Sequence, residues 1–335
     1  MTTIVLDAMG SDDHPQPDVT GAVMAAQEYN VDVILVGDEK RIRPLLNSLS
    51  LGDLPIRIVH ASETLTMNDK GDALVRKARH KDAQNSMAVA IDLLKSGEAD
   101  AFVSAGNTGA AMVTALFRLG RLKGINRPAL APIFPTATGS CVVLDVGANP
   151  DCKPRNLVEF AIMGSVYAEK ARGATNPKVG IISNGGEAGK GSGLVRETYP
   201  LLEKAKLNFY GNVEGKTLFN GEVDVAVTDG FTGNVMLKTS EAVANLIINN
   251  IKKAVMNGNI LTKIGGLLLK PALSAVKEAL DPSDVGAAPL LGVNGLVFIG
   301  HGSSDANAIK NAIRVAKEAV EAGVLDSIRE AIENK

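Results

Sequence analysis

A three-layer α/β/α fold with a mostly parallel sheet is what this sequence predicts, and three observations predict it. Strand-like and helix-like stretches alternate almost throughout the 335 residues. The strand-like stretches are continuous apolar runs, the signature of strands covered by helices on both faces. Nearly every one ends in glycine or a small polar residue: Asp7, Asp38, Ser104–Asn107, Gly147–Asn149, Ser183-Asn184, Asp229 and His301. In open parallel sheets, ligands sit beyond the carboxyl ends of the strands. One polar strand end means little, whereas a ring of them points to a site.

The elements follow in order. Thr3–Leu6 reads as a strand, Pro17–Tyr29 as a helix and Val31–Val36 as a strand ended by Gly37-Asp38. A helix through Leu49 precedes a strand at Ile56–Val59. Gly71–His80 and Ser86–Leu94 have helical spacing. Ala101–Val103 is a strand, Thr108–Leu122 a helix, Val142–Val146 a buried strand and Leu157–Ala171 a helix. Val179–Ile182 leads through a glycine loop into a helix ending near Lys206. Phe209–Val213 and Val223–Val227 are strands, Val235–Val255 and Leu261–Leu280 helical pieces, Leu296–Ile299 the last strong strand, and Asn307–Ala322 an amphipathic helix. The chain is expected to form a single large α/β unit over residues 1–335, with a helical hairpin inserted at 238–280.

Bulk properties exclude several functions. A net charge of −2, no Trp and only 4% aromatic residues argue against nucleic acid as a partner. Cys141 and Cys152 are too few for a disulfide scaffold and fit a reducing compartment. The start, MTTIVLDAMG, lacks the basic and long apolar regions of a secretory signal, and no apolar run reaches the roughly 18 residues of a membrane span. Cytoplasmic is the expected location. The four histidines form no His-x-x-x-His pair and the cysteines no Cys-x-x-Cys, so no metal site is expected.

The stretch Lys178–Leu194 carries the first chemical signal. An apolar strand breaks into a loop holding Asn184, Gly185, Gly186, Glu187, Gly189, Lys190, Gly191 and Gly193, then turns helical. Glycine lets the backbone approach closely, and helix N-terminal N–H groups attract anions. It is not a nucleotide P-loop, because Asn184 stands where the first glycine belongs and Gly191 follows Lys190. It reads either as an anion site or as a plain strand-to-helix turn.

The chain also echoes itself. Ala99–Gly109 (ADAFVSAGNTG) resembles Val223–Gly233 (VDVAVTDGFTG). Each is a strand, a Ser or Thr, a glycine and a Thr-Gly helix start, so Thr108 and Thr232 set hydroxyls beside clustered N–H groups. We read them as two walls of one cleft. After the second copy, Asn234 and Lys238 lie one turn apart on one helix face, suited to a carbonyl oxygen or a phosphate, or simply to a capped helix with an exposed lysine. His301, between Gly300 and Gly302 and followed by Ser303-Ser304, suits proton transfer, or a loop that only caps its helix. Neither cysteine reads as a nucleophile: Cys141 opens a buried strand, and Cys152 has no histidine near it in sequence.

The hairpin is unusual. Residues 242–277 hold Lys252, Lys253, Lys263, Lys270 and Lys277 with no acid, beside Ile260, Leu261, Ile264, Leu267, Leu268 and Leu269. Such a segment can pair subunits, lie on an anionic membrane or dock an acidic partner.

Seven ordered blocks carry a resemblance. Asp7-Ala-Met-Gly10, Ser104-Ala-Gly-Asn-Thr-Gly-Ala110, Leu144-Asp-Val-Gly-Ala-Asn149, Ala161-Ile-Met-Gly-Ser-Val166, Lys190-Gly191, Asp229-Gly-Phe-Thr-Gly-Asn234 and His301-Gly302 resemble bacterial phosphate acyltransferases of phospholipid synthesis, collinearly from residue 4 to about 320. One departure is Ser11, where the pattern has a second glycine. The resemblance implies an isocitrate/isopropylmalate dehydrogenase-like fold and a homodimer. It implies transfer of a fatty acyl group from acyl-acyl carrier protein to inorganic phosphate, with no acyl-enzyme and no cofactor. The acyl phosphate would pass to a membrane glycerol-3-phosphate acyltransferase, with peripheral contact at the inner face of the membrane. On this reading Asn184, Gly185, Gly186, Lys190 and Gly191 hold phosphate, joined by Thr108, Thr232, Ser303 and Ser304. Asn107, Asn234 or Lys238 stabilises the oxyanion, Asp229 orients one of them, and His301 protonates the leaving thiolate. Lys252, Lys253, Lys263, Leu267, Leu268 and Lys270 would meet the carrier protein or the membrane. Two other classes are weighed against it. A nicotinamide-dependent hydroxy-acid dehydrogenase lacks its Gly-x-Gly-x-x-Gly fingerprint here, and a membrane-surface adaptor needs no ring of polar strand ends.

Overall fold

The computed structural model describes residues 1–49, 52–80, 82–269 and 286–334. In chain order the strands are β1 (Thr3–Asp7), β2 (Asp32–Gly37), β3 (Ile56–His60), β4 (Ala101–Ser104), β5 (Ala129–Leu130), β6 (Ile133–Thr136), β7 (Gly139–Leu144), β8 (Lys178–Ile182), β9 (Asn208–Val213), β10 (Val225–Val227), β11 (Ala288–Leu291) and β12 (Leu296–Ile299). The helices are α1 (Gln16–Tyr29), α2 (Glu39–Ser48), α3 (Gly71–Arg79), α4 (Ser86–Ser96), α5 (Thr108–Arg118), α6 (Pro154–Arg172), α7 (Gly193–Lys204), α8 (Gly215–Asn220), α9 (Gly230–Asn257), α10 (Ala306–Glu321) and α11 (Val324–Glu333), with a further helical stretch at 260–269.

The layered, mostly parallel class holds, but the strands are divided between two sheets. One runs β3-β2-β1-β4-β12-β11-β5, the other β6-β7-β10-β8-β9. Pairing is parallel along β3-β2-β1-β4-β12 and along β7-β10-β8-β9. Among the described strands, β5, β6 and β11 bring the antiparallel pairs. The carboxyl ends of β1, β2, β3, β4 and β12 therefore share one edge, and those of β7, β8, β9 and β10 share another.

Alternation along the strands shows why both faces are covered. Ile4 and Leu6 enter one core with Val19 and Ala22 of α1 and Ile309 and Ile313 of α10. Val5, between them, enters a second core with Met87 and Ile91 of α4 and Ala111 and Ala115 of α5. The period of two thus sends neighbouring side chains to opposite helix layers. The first core continues into the second sheet, where Val142, Leu144, Val179 and Val225 meet Leu157 and Phe160 of α6. The far face of that sheet is closed by a third group, including Phe134, Val143, Val213 and Leu218 of α8.

Differences from the sequence reading have local causes. β5 is two residues long between Pro128 and Pro132, so no periodicity announces it. β6 contains Pro135, tolerated because β6 is an edge strand. α9 starts at Gly230, five residues before the expected Val235, because Asp229 caps it. The hairpin is described as α9 and residues 260–269; Lys270 and the rest of the expected helix to Leu280 lie outside the described residues. Leu246, Ile247, Ile251, Ile260, Leu261, Leu267 and Leu268 of the hairpin are exposed. Among the described residues, no helix is long and apolar enough to cross a membrane.

Candidate active site at the carboxyl edges of the sheets

On the first sheet, neighbouring strand ends are laced together. Asp7, buried at the end of β1, accepts from Ser104 Oγ at the end of β4 (2.8 Å) and from the Met9 amide (3.2 Å). Burial holds its carboxyl above the usual range despite these bonds, with Ser86 and Ser104 acting in the opposite sense. Ser104 Oγ also accepts from the Gly106 amide, the Gly300 amide donates to Ser104 O (2.8 Å), and the Asp12 amide donates to Gly302 O (2.7 Å). The loops after β1, β4 and β12 form one connected rim.

Asn107 does not fit the expected oxyanion donor. Its Oδ1 accepts from the Ala110 amide and caps α5, while its Nδ2 donates to Thr66 O (3.1 Å) and Asp69 O (3.2 Å). Both amide hydrogens are engaged, so Asn107 is a cap that ties in the 66–69 loop. Thr108 is exposed in the first turn of α5. His301 is exposed; its Nδ1 accepts from the Ser303 amide (3.2 Å) and lies 2.7 Å from Ser303 Oγ. A ring nitrogen that accepts from an amide carries no proton, which assigns the neutral ring's proton to Nε2. Ser304 donates its hydroxyl to His301 O (2.6 Å) and is buried, so that hydrogen serves the loop and not a ligand.

On the second sheet, the loop after β7 is organised by a buried acid that sequence reasoning missed. Asp145 accepts from the amides of Leu130 (2.9 Å), Ala148 (3.2 Å) and Asn149 (2.6 Å) and from Asn149 Nδ2 (2.9 Å). Burial still pushes its carboxyl above the usual range. The available signal was an acid closing an apolar strand ahead of Gly147 and Asn149. The loop after β10 packs against this turn. Asp229 accepts from Thr232 N (2.9 Å) and Thr232 Oγ1 (2.8 Å), so both are occupied with capping α9. Asn234 is exposed beside Gly147, and among the described residues no hydrogen bond occupies its amide. Lys238, one turn on, is 57% exposed and pairs with Glu241 (2.9 Å), a contact weak enough in water to be exchanged for a ligand.

The glycine loop after β8 lies on the same edge. Asn212 of β9 donates from Nδ2 to Glu187 O (2.6 Å), and the Lys190 amide donates to the same carbonyl (2.9 Å), closing a tight turn. Gly191 has φ +104°, a conformation that favours glycine, and Ser192 then caps α7. The Lys190 stem and the Glu187 carboxylate bracket the buried Gly185. Lys190 is exposed and has no ion-pair partner among the described residues. Asn184 and Gly186 are exposed as well.

Lys190 with its glycine loop and Asn234 with Lys238 therefore follow adjacent parallel strands of one sheet. Asn107, Thr108, His301, Ser303 and Ser304 follow adjacent strands of the other. The two echoing segments occupy matching places, one per sheet, each capped by its own polar residue, Asn107 or Asp229.

Known proteins similar along the whole chain show its family. The family described as "fatty acid synthesis protein" matches residues 2–327. A phosphate acyltransferase of Pelotomaculum thermopropionicum is 49% identical over 331 residues, covering 99% of this chain and 95% of that one. One from Desulforamulus reducens is 47% identical, covering 100% and 98%. Among solved structures, a phosphotransacetylase from Streptococcus pyogenes matches with TM-score 0.64 at 20% identity, covering 96% of this chain and 94% of that one, a likeness of fold. A protein described as a putative 4-hydroxythreonine-4-phosphate dehydrogenase from Salmonella typhimurium matches with TM-score 0.50 at 12% identity, covering 97% and 100%. By identity along nearly its whole length, the chain belongs to the phosphate acyltransferase family of acyl-transferring enzymes.

Proposed function

We propose that the protein moves a fatty acyl group from acyl-acyl carrier protein to inorganic phosphate, giving acyl phosphate and free carrier protein. The observation that supports it most is Lys190 over its glycine loop on the same sheet edge as the Asn234 amide, neither of them engaged by another side chain among the described residues. The loop's N–H groups and Lys190 hold phosphate. A phosphate oxygen attacks the thioester carbonyl carbon, and the carbonyl oxygen gains charge that the Asn234 amide and Lys238 stabilise as donors. The tetrahedral centre collapses, the C–S bond breaks, and the proton lost by phosphate ends on the sulfur; His301 relays it only as the imidazolium, which gives up its Nε2 proton and returns to the neutral ring.

Attack is direct. Burial pushes the Cys152 thiol up to about 11 and the Cys141 thiol higher still, leaving Cys152 a thiolate in only about one molecule in ten thousand at neutral pH. Neither cysteine is a ready nucleophile for an acyl-cysteine intermediate.

The test is phosphate-dependent release of carrier protein from acyl-acyl carrier protein without added nicotinamide. Lys190→Ala should raise the KM for phosphate at least about tenfold with kcat nearly kept. Asn234→Ala should lower kcat about a hundredfold, the usual cost of one oxyanion donor. Unchanged phosphate KM in the first variant would move the phosphate to the 300–304 loop.

We assign the exposed hairpin to attachment at an anionic membrane surface, where an acyl phosphate would be handed on, and to pairing of subunits. Leu246, Ile247, Ile251, Ile260, Leu261, Leu267 and Leu268 are uncovered, and Lys252, Lys253 and Lys263 each add about 1 kcal/mol at such a surface. Replacing these three lysines by Glu should abolish sedimentation with vesicles containing anionic lipid; full retention would remove the membrane from this assignment.

A further inference from the structure

We infer that α3 is the docking helix for the acidic carrier protein, which separates donor recognition from the hairpin. This deepens the acyl-transfer reading above and rests on it. Lys70, Arg76, Lys77 and Arg79 are all exposed along α3 and its N-cap, in a chain whose net charge is −2. The single acid of the helix is Asp72. Lys77 is matched by Asp69 (2.6 Å), whereas Lys70, Arg76 and Arg79 have no ion-pair partner among the described residues. The Arg79 guanidinium stands 5.5 Å over the ring of Phe117 in α5, and that ring is 47% exposed. A cation stacked on an uncovered aromatic ring is the make-up of an interface hot spot.

The surface is rigid and it borders the site. Arg118 is almost buried, pairs with Asp92 of α4 and donates to His80 O (2.6 Å), which fixes the end of α3 to the helices beneath it. At the other end, the loop before α3 is the one held by Asn107 through Thr66 O and Asp69 O. Exposed Met67 of that loop lies against Gly302, beside His301. One end of the basic helix thus sits on the rim of the first sheet's carboxyl edge, and the rest leads outward across the surface. A carrier protein seated on α3 presents its prosthetic arm, and the thioester at its tip, at that rim. The occupant is fixed by charge: Arg79 stacked on an exposed ring, with Arg76 one turn before it and neither ion-paired among the described residues, suits an acidic protein surface, and steering by such charges falls steeply with salt.

The test uses Arg76→Glu/Arg79→Glu in the full chain, with three readouts beside an unchanged Tm. Acyl-acyl carrier protein and acyl-pantetheine, an uncharged small donor, are compared as substrates, and binding of unacylated carrier protein is measured directly. We expect the KM for acyl-acyl carrier protein to rise at least about tenfold and the Kd for the carrier to rise in step, while the KM for acyl-pantetheine stays put. The salt dependence of the carrier KM should flatten. Equal changes with both donors, or no change with either, would overturn the assignment. Wild-type protein that binds carrier through α3 yet releases none would instead sink the acyl-transfer reading and leave the docking surface standing. Wild-type protein that binds no carrier sinks the docking surface itself.

Discussion

Gly233→Ala is expected to lower kcat/KM at least about a hundredfold and Tm by about 5 °C or more, while Gly109→Ala, at the matching place in the echoing segment, is tolerated. Gly233 lies in the first turn of α9, buried against the loop after β7. A Cβ there would stand 2.0 Å from Asp145 O and 3.1 Å from Asp145 C. That backbone cannot retreat. Asp145 donates its amide to Thr228 O (3.0 Å), Thr228 donates to Leu144 O (2.6 Å), and the carboxylate is held by four N–H groups from three residues. Ordinary overpacking costs about 1–3 kcal/mol, and a contact this short with pinned backbone belongs at or above the top of that range. The cheapest relief is for the N-terminus of α9 to lift. Asn234, the next residue, moves with it, and displacing a reacting group by about 1 Å costs on the order of a hundredfold in rate. At Gly109 the nearest atom to a Cβ is Asn107 Oδ1 at 3.4 Å, an ordinary contact. The comparison is measured by thermal unfolding and by phosphate-dependent carrier release. Equal behaviour of the two variants would show that the packing of α9 on Asp145 does not hold the site in place.

That pair of glycines also shows what a sequence can and cannot convey. The echo was readable because both copies use the same local chemistry, a strand end followed by a capped helix. What differs is the neighbour each glycine meets, and that is set by tertiary packing. The parallel α/β class was readable from continuous apolar runs, since burial on both faces leaves no alternation to hide it. The division into two sheets was not, because apolar pattern marks a strand without naming its partner. Two-residue β5 between prolines carries no pattern at all. Among site residues, Lys190 and Asn234 were readable as exposed polar groups at strand ends, and no side chain among the described residues engages either. Asn107 had the same appearance, yet its amide is consumed by carbonyls about forty residues away in sequence. Asp145 was overlooked for the opposite reason: it terminates a buried run, and only the four hydrogen bonds it accepts reveal it as the centre of its loop.

Asp18 sets the pH dependence of stability, and its sign is opposite to that of the common surface carboxylate. The residue is fully buried in the first turn of α1. Ser11 Oγ donates to its Oδ2 (2.5 Å), and its Oδ1 has no partner among the described residues. Burial first, with the charge of nearby Asp7 adding to it, pushes the carboxyl up from 3.8 to about 7, with Ser11 pulling the other way. The native state therefore binds more protons than the unfolded chain between about pH 4 and pH 7. Stability from this group is fully present below pH 4 and is lost as pH rises through 7, by about 4 kcal/mol across the window. Asp7 and Asp145, also raised by burial, act in the same direction. Tm should fall from pH 5 to pH 8, and Asp18→Asn should flatten part of that fall, gaining most on the wild type at pH 8. Parallel curves for the two proteins would mean that Asp18 titrates at an ordinary carboxylate pKa. The identity of residue 11 enters here. Glycine is what the family resemblance leads one to expect, and serine is accommodated because its backbone is not in the left-handed region. Its hydroxyl is the side-chain donor to a carboxylate that burial otherwise disfavours. Ser11→Gly should accordingly raise the Asp18 pKa further and shift the loss of stability to higher pH, whereas Ser11→Thr, which keeps the hydroxyl, should leave the curve where it is.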